Sequence, residues 1–194
     1  MIRELTNRAI KETFIQMCLE RPIEKITVQD IAERCGISKQ TFYNHFRDKQ
    51  DLMNYVYDEE VKRAVDTFCS DDRGTAAMRR AISSVLNRCR ELQGYYSSLV
   101  RYQTQNSFSE FFFETARLYF ENSAAPAAAN RGIDAHQPGS SSRLDRVIGF
   151  ACAGLNWIMV DWIRRGMVEE VETIADEMIA CLPEELCDVL NKKV

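Results

Sequence analysis

The first apolar stripe of the chain runs Ile2, Leu5, Ala9, Ile10, Phe14, Met17 and Cys18. Steps of three and four residues put those side chains on one side of a helix. The stripe predicts a helix ending near Arg21-Pro22, because proline disfavours helical geometry in the residue before it. Ile23 and Ile26 can plug a core from the link that follows. Thr27-Val-Gln-Asp30 has the S/T-x-x-D/E form of a helix N-terminus, and Val28, Ile31 and Ala32 supply an inner face. Gly36 marks a tight turn. Ser38 predicts the N-cap of a third helix, whose inner face is Phe42 and Phe46. Asp48 opens a longer helix with Leu52, Val56, Val65 and Phe68 inside, and SDDRGT (70–75) breaks it.

Beyond Thr75, the residues Met78, Ala81, Ile82, Val85, Leu86 and Cys89 form another stripe, which Gly94 interrupts. Two shorter helices are predicted at 95–105 and 107–121. The second is crowded with Phe108, Phe111, Phe112, Phe113, Tyr119 and Phe120. NSAAPAAANRGIDAHQPGSSS (122–142) predicts a long loop on its Ala, Gly, Ser and Pro content. Residues 143–165 read as a long, mostly apolar helix closed by Gly166. Val171, Ile174, Ala175, Met178, Ile179 and Leu182 mark a further helix, and Pro183 begins a last one through Leu190. With no strand pattern and no repeat, the expected architecture is all-α, with roughly nine or ten helices.

Composition narrows the class. The chain has 194 residues, 45% hydrophobic and 28% charged, a globular balance. The apolar run from Val147 to Val160 contains Asn156 and is shorter than the roughly 20 residues a spanning helix needs. The charged start MIRELTNRAIKE does not read as a secretory signal. Seven Cys is an odd number, and no pair has C-x2-C spacing. The expectation is reduced, buried thiols in a cytoplasmic protein. His45 and His136 are the only histidines, so metal sites and histidine-based catalysis have little material. No enzyme, metal or cofactor is expected.

Net charge is −4, which suits a nucleic-acid binder poorly until its distribution is considered. Residues 1–50 hold nine Lys/Arg against seven Asp/Glu, or +2, and the remainder sixteen against twenty-two, or −6. The basic part contains CGISKQTFYNHFRDKQDL (35–52), with more donors and acceptors than a core-filling helix needs. Two short helices joined by a glycine turn make a helix-turn-helix, whose second helix lies in the major groove. Lys39, Gln40, Thr41, Tyr43, Asn44 and His45 would then face outward, with Phe42 and Phe46 behind. On these residues alone, a helical hairpin with a solvated polar face remains an equal alternative.

The longer pattern is more specific. ITVQDIAERCGISKQTFYNHFRDKQDLMNYVYDEE (26–60), with its TFYNHF block and the Lys of RDKQDL, makes residues 2–60 closely resemble the DNA-binding domain of the TetR family of transcriptional regulators. QTFYNHF together with DWIRRGM (161–167) resembles the branch related to the dihydroxyacetone-kinase operon regulator. The resemblance implies a helix-turn-helix DNA-binding domain over 1–48 and a helical regulatory and dimerisation domain over 49–194. It implies phosphate contacts from Thr27, Tyr43, His45 and Lys49. Ser38 and Lys39 would open the recognition helix, and Gln40, Thr41 and Asn44 would meet base edges. Gln and Asn can pair bidentately with adenine. Gln40 departs from the small residue frequent there, which points to an unusual operator.

The resemblance further implies a homodimer on a palindromic DNA operator, built from the last long helices over 143–192. Gly149, Ala153 and Gly154 would permit close helix approach, although packing within one subunit uses small residues in the same way. A ligand-responsive repressor is the implied activity. Its effector pocket would draw on Arg101, Tyr102, Phe108, Phe112, Trp157 and Asp161, against the plainer alternative of core aromatics and a surface carboxylate. The other regulator reading is control by a partner protein instead of a small molecule.

Overall fold

The structure, a computed structural model, describes residues 2–68, 74–102, 108–129 and 143–191. Every regular element among these residues is helical. In chain order they are α1 (Ile2–Glu20), the 3-10 turn η1 (Ile23–Lys25), α2 (Val28–Cys35), α3 (Lys39–His45) and α4 (Lys49–Phe68). Then follow α5 (Thr75–Glu91), α6 (Gln93–Arg101), α7 (Phe108–Ala129), α8 (Arg143–Arg164), α9 (Val171–Ala180) and α10 (Glu184–Asn191).

Local chemistry explains the first three. Thr27 caps α2 by a reciprocal pair of bonds: its hydroxyl accepts from the Asp30 N–H at 3.2 Å, and its own N–H donates to Asp30 Oδ2 at 2.8 Å. Two of the N–H groups that a helix start leaves unpaired are thereby satisfied. Pro22 ends the α1 segment, and η1 then turns Ile23 and Ile26 into the core, both buried. Ile10, Phe14, Ile31, Phe42 and Phe46 complete that core, so α1, α2 and α3 close over one apolar centre. The first half of α4 joins it through Leu52 and Val56.

The remaining helices pack in pairs: α5 lies against α4 and α9, and α7 lies against α8. Arg79 of α5 reaches Glu172 at 2.7 Å and Asp176 at 2.5 Å on α9, and Arg90 reaches Glu170 at 3.2 Å. These are exposed pairs that contribute little singly. Apolar burial carries the contact: Met78, Leu86 and Cys89 of α5 and Val171, Ile174 and Met178 of α9 are all buried in the same core. The inner side of α8 buries Ile148, Cys152, Leu155, Met159, Trp162 and Ile163. Trp162 is fully buried, its Nε1 donating to the Glu169 carbonyl at 3.2 Å.

Several sequence expectations need correction. The interruption expected at Gly94 falls two residues earlier, at Leu92, which separates α5 from α6 and leaves Gly94 as the second residue of α6. Of the loop expected over 122–142, residues 122–129 are helical instead, because α7 continues through Pro126 to Ala129. Ala has the highest helix propensity, so an Ala-rich stretch reads as low complexity and as helix alike. Residues 130–142 of that expected loop lie outside the described residues, as do the side chains of Val65, Phe68, Phe108 and Phe111. The full helix α8 is long and apolar enough to cross a membrane, and 44% of its most apolar window is buried inside the protein. Length therefore does not separate a core helix from a spanning one, and one side of α8 is buried in the protein. The thiols are mixed too: Cys18, Cys89 and Cys152 are buried, each pushed up to about 12 by desolvation, whereas Cys181 at the end of α9 is exposed.

Removing the α2 cap should be visible in solution. Thr27→Ala is expected to cost about 1 kcal/mol and to lower the melting temperature by about 2–4 °C. Urea unfolding with an unchanged midpoint would show that the cap contributes nothing.

Candidate nucleic-acid interface

Three residues stop one helix and start the next. Gly36 closes α2 in a left-handed conformation, φ 68 and ψ 29. A Cβ there would meet nothing within 4 Å, so glycine is favoured by the backbone angle and not by crowding. Ile37 N–H returns to the Ala32 carbonyl at 3.0 Å. Ser38 then caps α3, its Oγ accepting from the Thr41 N–H at 3.0 Å and lying 2.9 Å from Thr41 Oγ1.

Phe42 and Phe46 fasten α3 from behind. Their ring centroids are 5.8 Å apart, and Tyr55 of α4 follows 5.3 Å from Phe46. With both Phe rings buried, Lys39, Gln40, Tyr43 and Asn44 are exposed and Thr41 and His45 half-buried. Gln40 Nε2 donates to Asn44 Oδ1 at 3.3 Å, so the two amides lie along one line. Their other donors and acceptors face outward in a short polar row.

Not every residue expected on this face is free to serve there. His45 Nδ1 lies 2.6 Å from Asn7 Oδ1 on α1, a partner that the sequence pattern did not suggest. The Thr27 N–H and hydroxyl are both bound to Asp30, whose carboxyl those bonds hold below its usual range. Asp30 also meets Arg21 at 3.1 Å. Lys49 differs most from expectation. Its ammonium points inward, donating to the carbonyls of Ile23 at 2.8 Å and Ile26 at 2.9 Å, and sits 4.8 Å from the centre of the Tyr102 ring. Burial lowers its pKa, against smaller opposing effects from Cys18 and Glu24. As folded, Lys49 offers no donor to a phosphate.

The described members of the six residues expected around an effector have separate surroundings. Tyr102 is engaged by Lys49, and Phe112 packs on Tyr57 of α4 with centroids 6.0 Å apart. Arg101 is exposed. Asp161 pairs with Arg165 at 2.8 Å. The Phe108 side chain lies outside the described residues. Trp157 is 68% exposed, because it shares the outer side of α8 with Phe150, itself 71% exposed, and with exposed Ala153 and Gly154. Trp157 is thus corrected from pocket lining to surface. A Cβ at Gly149 or Gly154 would meet nothing within 4 Å. Beside this stripe is an open groove of about 440 Å³ lined by Arg143, Arg146, Val147, Phe150 and Pro183, which the sequence reading missed.

Residues 15–56 match the profile described as "Bacterial regulatory proteins, tetR family". That span holds the whole turn, both caps and the Phe42/Phe46 anchor. Over that span the chain is similar to the DNA-binding part of TetR-family regulators.

Among curated relatives, the chain is 28% identical over 94 residues to "Uncharacterized HTH-type transcriptional regulator YuxN" of Bacillus subtilis, covering 46% of this chain and 32% of that protein. It is 21% identical over 108 residues to "HTH-type dhaKLM operon transcriptional activator DhaS" of Lactococcus lactis, covering 56% of this chain and 54% of that protein. The chain thus spans about a third and about half of these relatives' lengths. Likeness of fold reaches further. A solved "Dihydroxyacetone kinase operon activator DhaS" superposes with a TM-score of 0.64 at 18% identity, over 96% of this chain and 98% of that one. "Fatty acid degradation regulator FadR from Bacillus halodurans" gives 0.61 at 14% identity, over 91% and 94%. The TetR-family organisation of an N-terminal helix-turn-helix and a C-terminal helical part describes this chain as well.

The anchor and the outer face of α3 should separate by mutation. Phe42→Ala removes a fully buried ring and is expected to cost about 3–5 kcal/mol. Gln40→Ala, on the exposed side, should stay within about 0.5 kcal/mol. Urea denaturation followed by circular dichroism measures both, and equal losses would contradict the two-sided geometry.

Proposed function

We propose that this protein is a DNA-binding transcriptional regulator that acts as a cytoplasmic homodimer on a palindromic operator and responds to a small molecule. Residues 1–48 form its DNA-binding domain and 49–194 its regulatory and dimerisation domain. One observation carries the reading: a seven-residue helix, capped at Ser38 and pinned by Phe42 and Phe46, that turns Lys39, Gln40, Tyr43 and Asn44 outward. In this reading Gln40, Thr41 and Asn44 read base edges. Lys39, Tyr43, His45, Ser38 and Thr27 hold the phosphate backbone, with the Asp30 carboxylate competing at Thr27.

The outer stripe of α8, from Phe150 through Ala153 and Gly154 to Trp157, supports the homodimer. Two large exposed rings on one helix side, with small residues between them, allow two copies to bury their apolar surface at close approach. A two-fold dimer presents two α3 helices, which fit DNA only at about 34–36 Å or multiples of one helical turn. An effector that binds one helix arrangement better shifts the population between fitting and misfitting separations. Repression follows if the operator overlaps a promoter; the likeness to DhaS, an activator by its printed name, supports the opposite sign.

A second reading, control by a partner protein, is favoured by the dispersal of the six candidate pocket residues. Thermal-shift screening against a metabolite library, beside native mass spectrometry of freshly purified protein, separates the two. A stabilising metabolite supports the first reading, and a co-purifying polypeptide supports the second.

Two outcomes test the main proposal. Against a duplex selected by the protein from a randomised pool, Gln40→Ala should lose about 1–3 kcal/mol of binding and relax preference at one base pair per half-site. Its salt slope should not change, because base contacts release no counterions. Fluorescence anisotropy across a salt series measures this; equal weakening on selected and scrambled duplexes would remove Gln40 from base reading, and failure to select any duplex would end the DNA-binding proposal. Separately, Phe150→Glu and Ala153→Arg should each convert a dimer into a monomer in sedimentation experiments. A monomeric unmodified protein at micromolar concentration would refute the homodimer.

A further inference from the structure

Three separated pieces of the chain meet at the Lys49 ammonium. The side chain leaves the first residue of α4. Nζ donates to the Ile23 and Ile26 carbonyls at 2.8 and 2.9 Å, at the start of η1 and just past its end. A remaining side faces the ring of Tyr102, the residue that closes α6. An ammonium has three donors and no acceptor, so two carbonyls and one aromatic face complete its surroundings. Ile23 and Ile26 are buried among the α1–α3 core. Their carbonyls therefore move with that core and with α3.

The other end of α6 is held differently. Gln93 Nε2 donates to the Gly166 carbonyl at 3.0 Å, in the turn that follows α8. Gly94 lies so close to α1 that a Cβ would meet Leu19 Cδ2 at 2.8 Å. Phe14 of α1 packs edge-on against Tyr95, centroids 6.1 Å apart. Thus α6 is gripped at its start by α1 and the α8–α9 turn, and at its end it covers Lys49.

We propose that Lys49 is a latch that ties the three-helix DNA-binding unit to the C-terminal end of α6, making the position of α6 a determinant of the orientation of α3. Its consequence for DNA rests on the regulator reading above; the latch itself rests on contact geometry. Cation–π attraction fades beyond about 6 Å from the ring centre. From 4.8 Å, a displacement of α6 by roughly 1 Å reaches that limit. With the ring withdrawn, that side of the ammonium meets water, and its hold on the two carbonyls weakens. Whatever moves α6 thus loosens η1, the link between α1 and α2.

The test uses the full-length protein with Tyr102→Leu, Tyr102→Phe and Lys49→Met. Hydrogen–deuterium exchange over residues 22–30 should accelerate at least about 2–5-fold in Tyr102→Leu, the lower range for losing one cation–π contact, which a half-buried pair meets or exceeds. Tyr102→Phe keeps the ring and should exchange as the unmodified protein does. Lys49→Met should exchange faster still, and adding Tyr102→Leu to it should add nothing. On the selected duplex, Tyr102→Leu and Lys49→Met should bind more weakly with an unchanged salt slope. Unmodified exchange rates in Tyr102→Leu would overturn the latch. So would a Lys49→Met protein whose exchange is unaltered but whose salt slope falls by about 0.9 per protomer, the mark of a lost phosphate contact. If the unmodified protein selects no duplex, the DNA reading fails and the exchange comparison alone decides the latch.

Discussion

A helix of seven residues cannot hold itself together in water. Forming its first turn fixes several residues for one hydrogen bond, and isolated helices shorter than about 12–15 residues are marginal even when Ala-rich. The α3 helix is also made of residues with modest helix propensity, including Thr41, Phe42, Tyr43, Asn44 and His45. Its existence depends on burial of Phe42 and Phe46 against α1, α2 and α4. The Ser38 cap fixes where it starts, and the extended backbone at Phe46, φ −136 and ψ 135, fixes where it stops. A recognition surface so short is rigid only because its other side is core. The same two rings that fold the unit therefore also aim Gln40 and Asn44.

The longer helices transmit what that core fixes. α4 starts at the Lys49 junction and carries Tyr57, fully buried, to Phe112 of α7. α6 touches α1 near one end and Lys49 at the other. The three-helix unit thus meets the remaining helices along two lines, one through α4 and one through α6. Two lines of contact resist rotation better than one, since a rigid body pinned at a single junction can still pivot. Interior packing is dense enough that a small shift along either line is passed on instead of being absorbed.

The legibility of the sequence follows from how local each determinant is. The caps at Thr27 and Ser38, the turn at Gly36 and the Phe42/Phe46 side of α3 were readable, because each depends on residues within four positions of itself. The all-α class and most helix starts were readable for the same reason. What the pattern missed is non-local. Nothing near Lys49 announces that its ammonium will turn toward carbonyls 23 and 26 residues earlier. Nothing near His45 announces Asn7, 38 residues away. Trp157 reads as pocket lining because it lies four residues from Asp161 on one helix, yet α8 has apolar residues on both sides, and Trp157 is on the exposed one. Periodicity cannot say which side of such a helix faces its own subunit.

Charge supplies the final constraint on how this surface can meet DNA. Residues 1–50 carry only +2 against −6 for the rest, and several cations of the first part are already matched. Arg8 pairs with Glu12, Arg21 with Asp30, Arg34 with Glu20 and Arg47 with Asp51. Such exposed pairs are weak, so an arginine can exchange its carboxylate for a phosphate at small cost. The carboxylate it leaves behind then faces the same anionic backbone and repels it. Each exchange therefore gains less than an unpaired cation would. Lys49 is engaged internally. If the protein meets DNA as proposed, neutral donors such as Gln40, Tyr43 and Asn44 would carry a larger share of contact than they would on a strongly basic surface. In the proposed complex the net negative charge of residues 51–194 would disfavour approaches that do not lead with the first 50 residues. In that arrangement orientation comes from repulsion by the body, and discrimination comes from a short polar row whose geometry the buried phenylalanines hold.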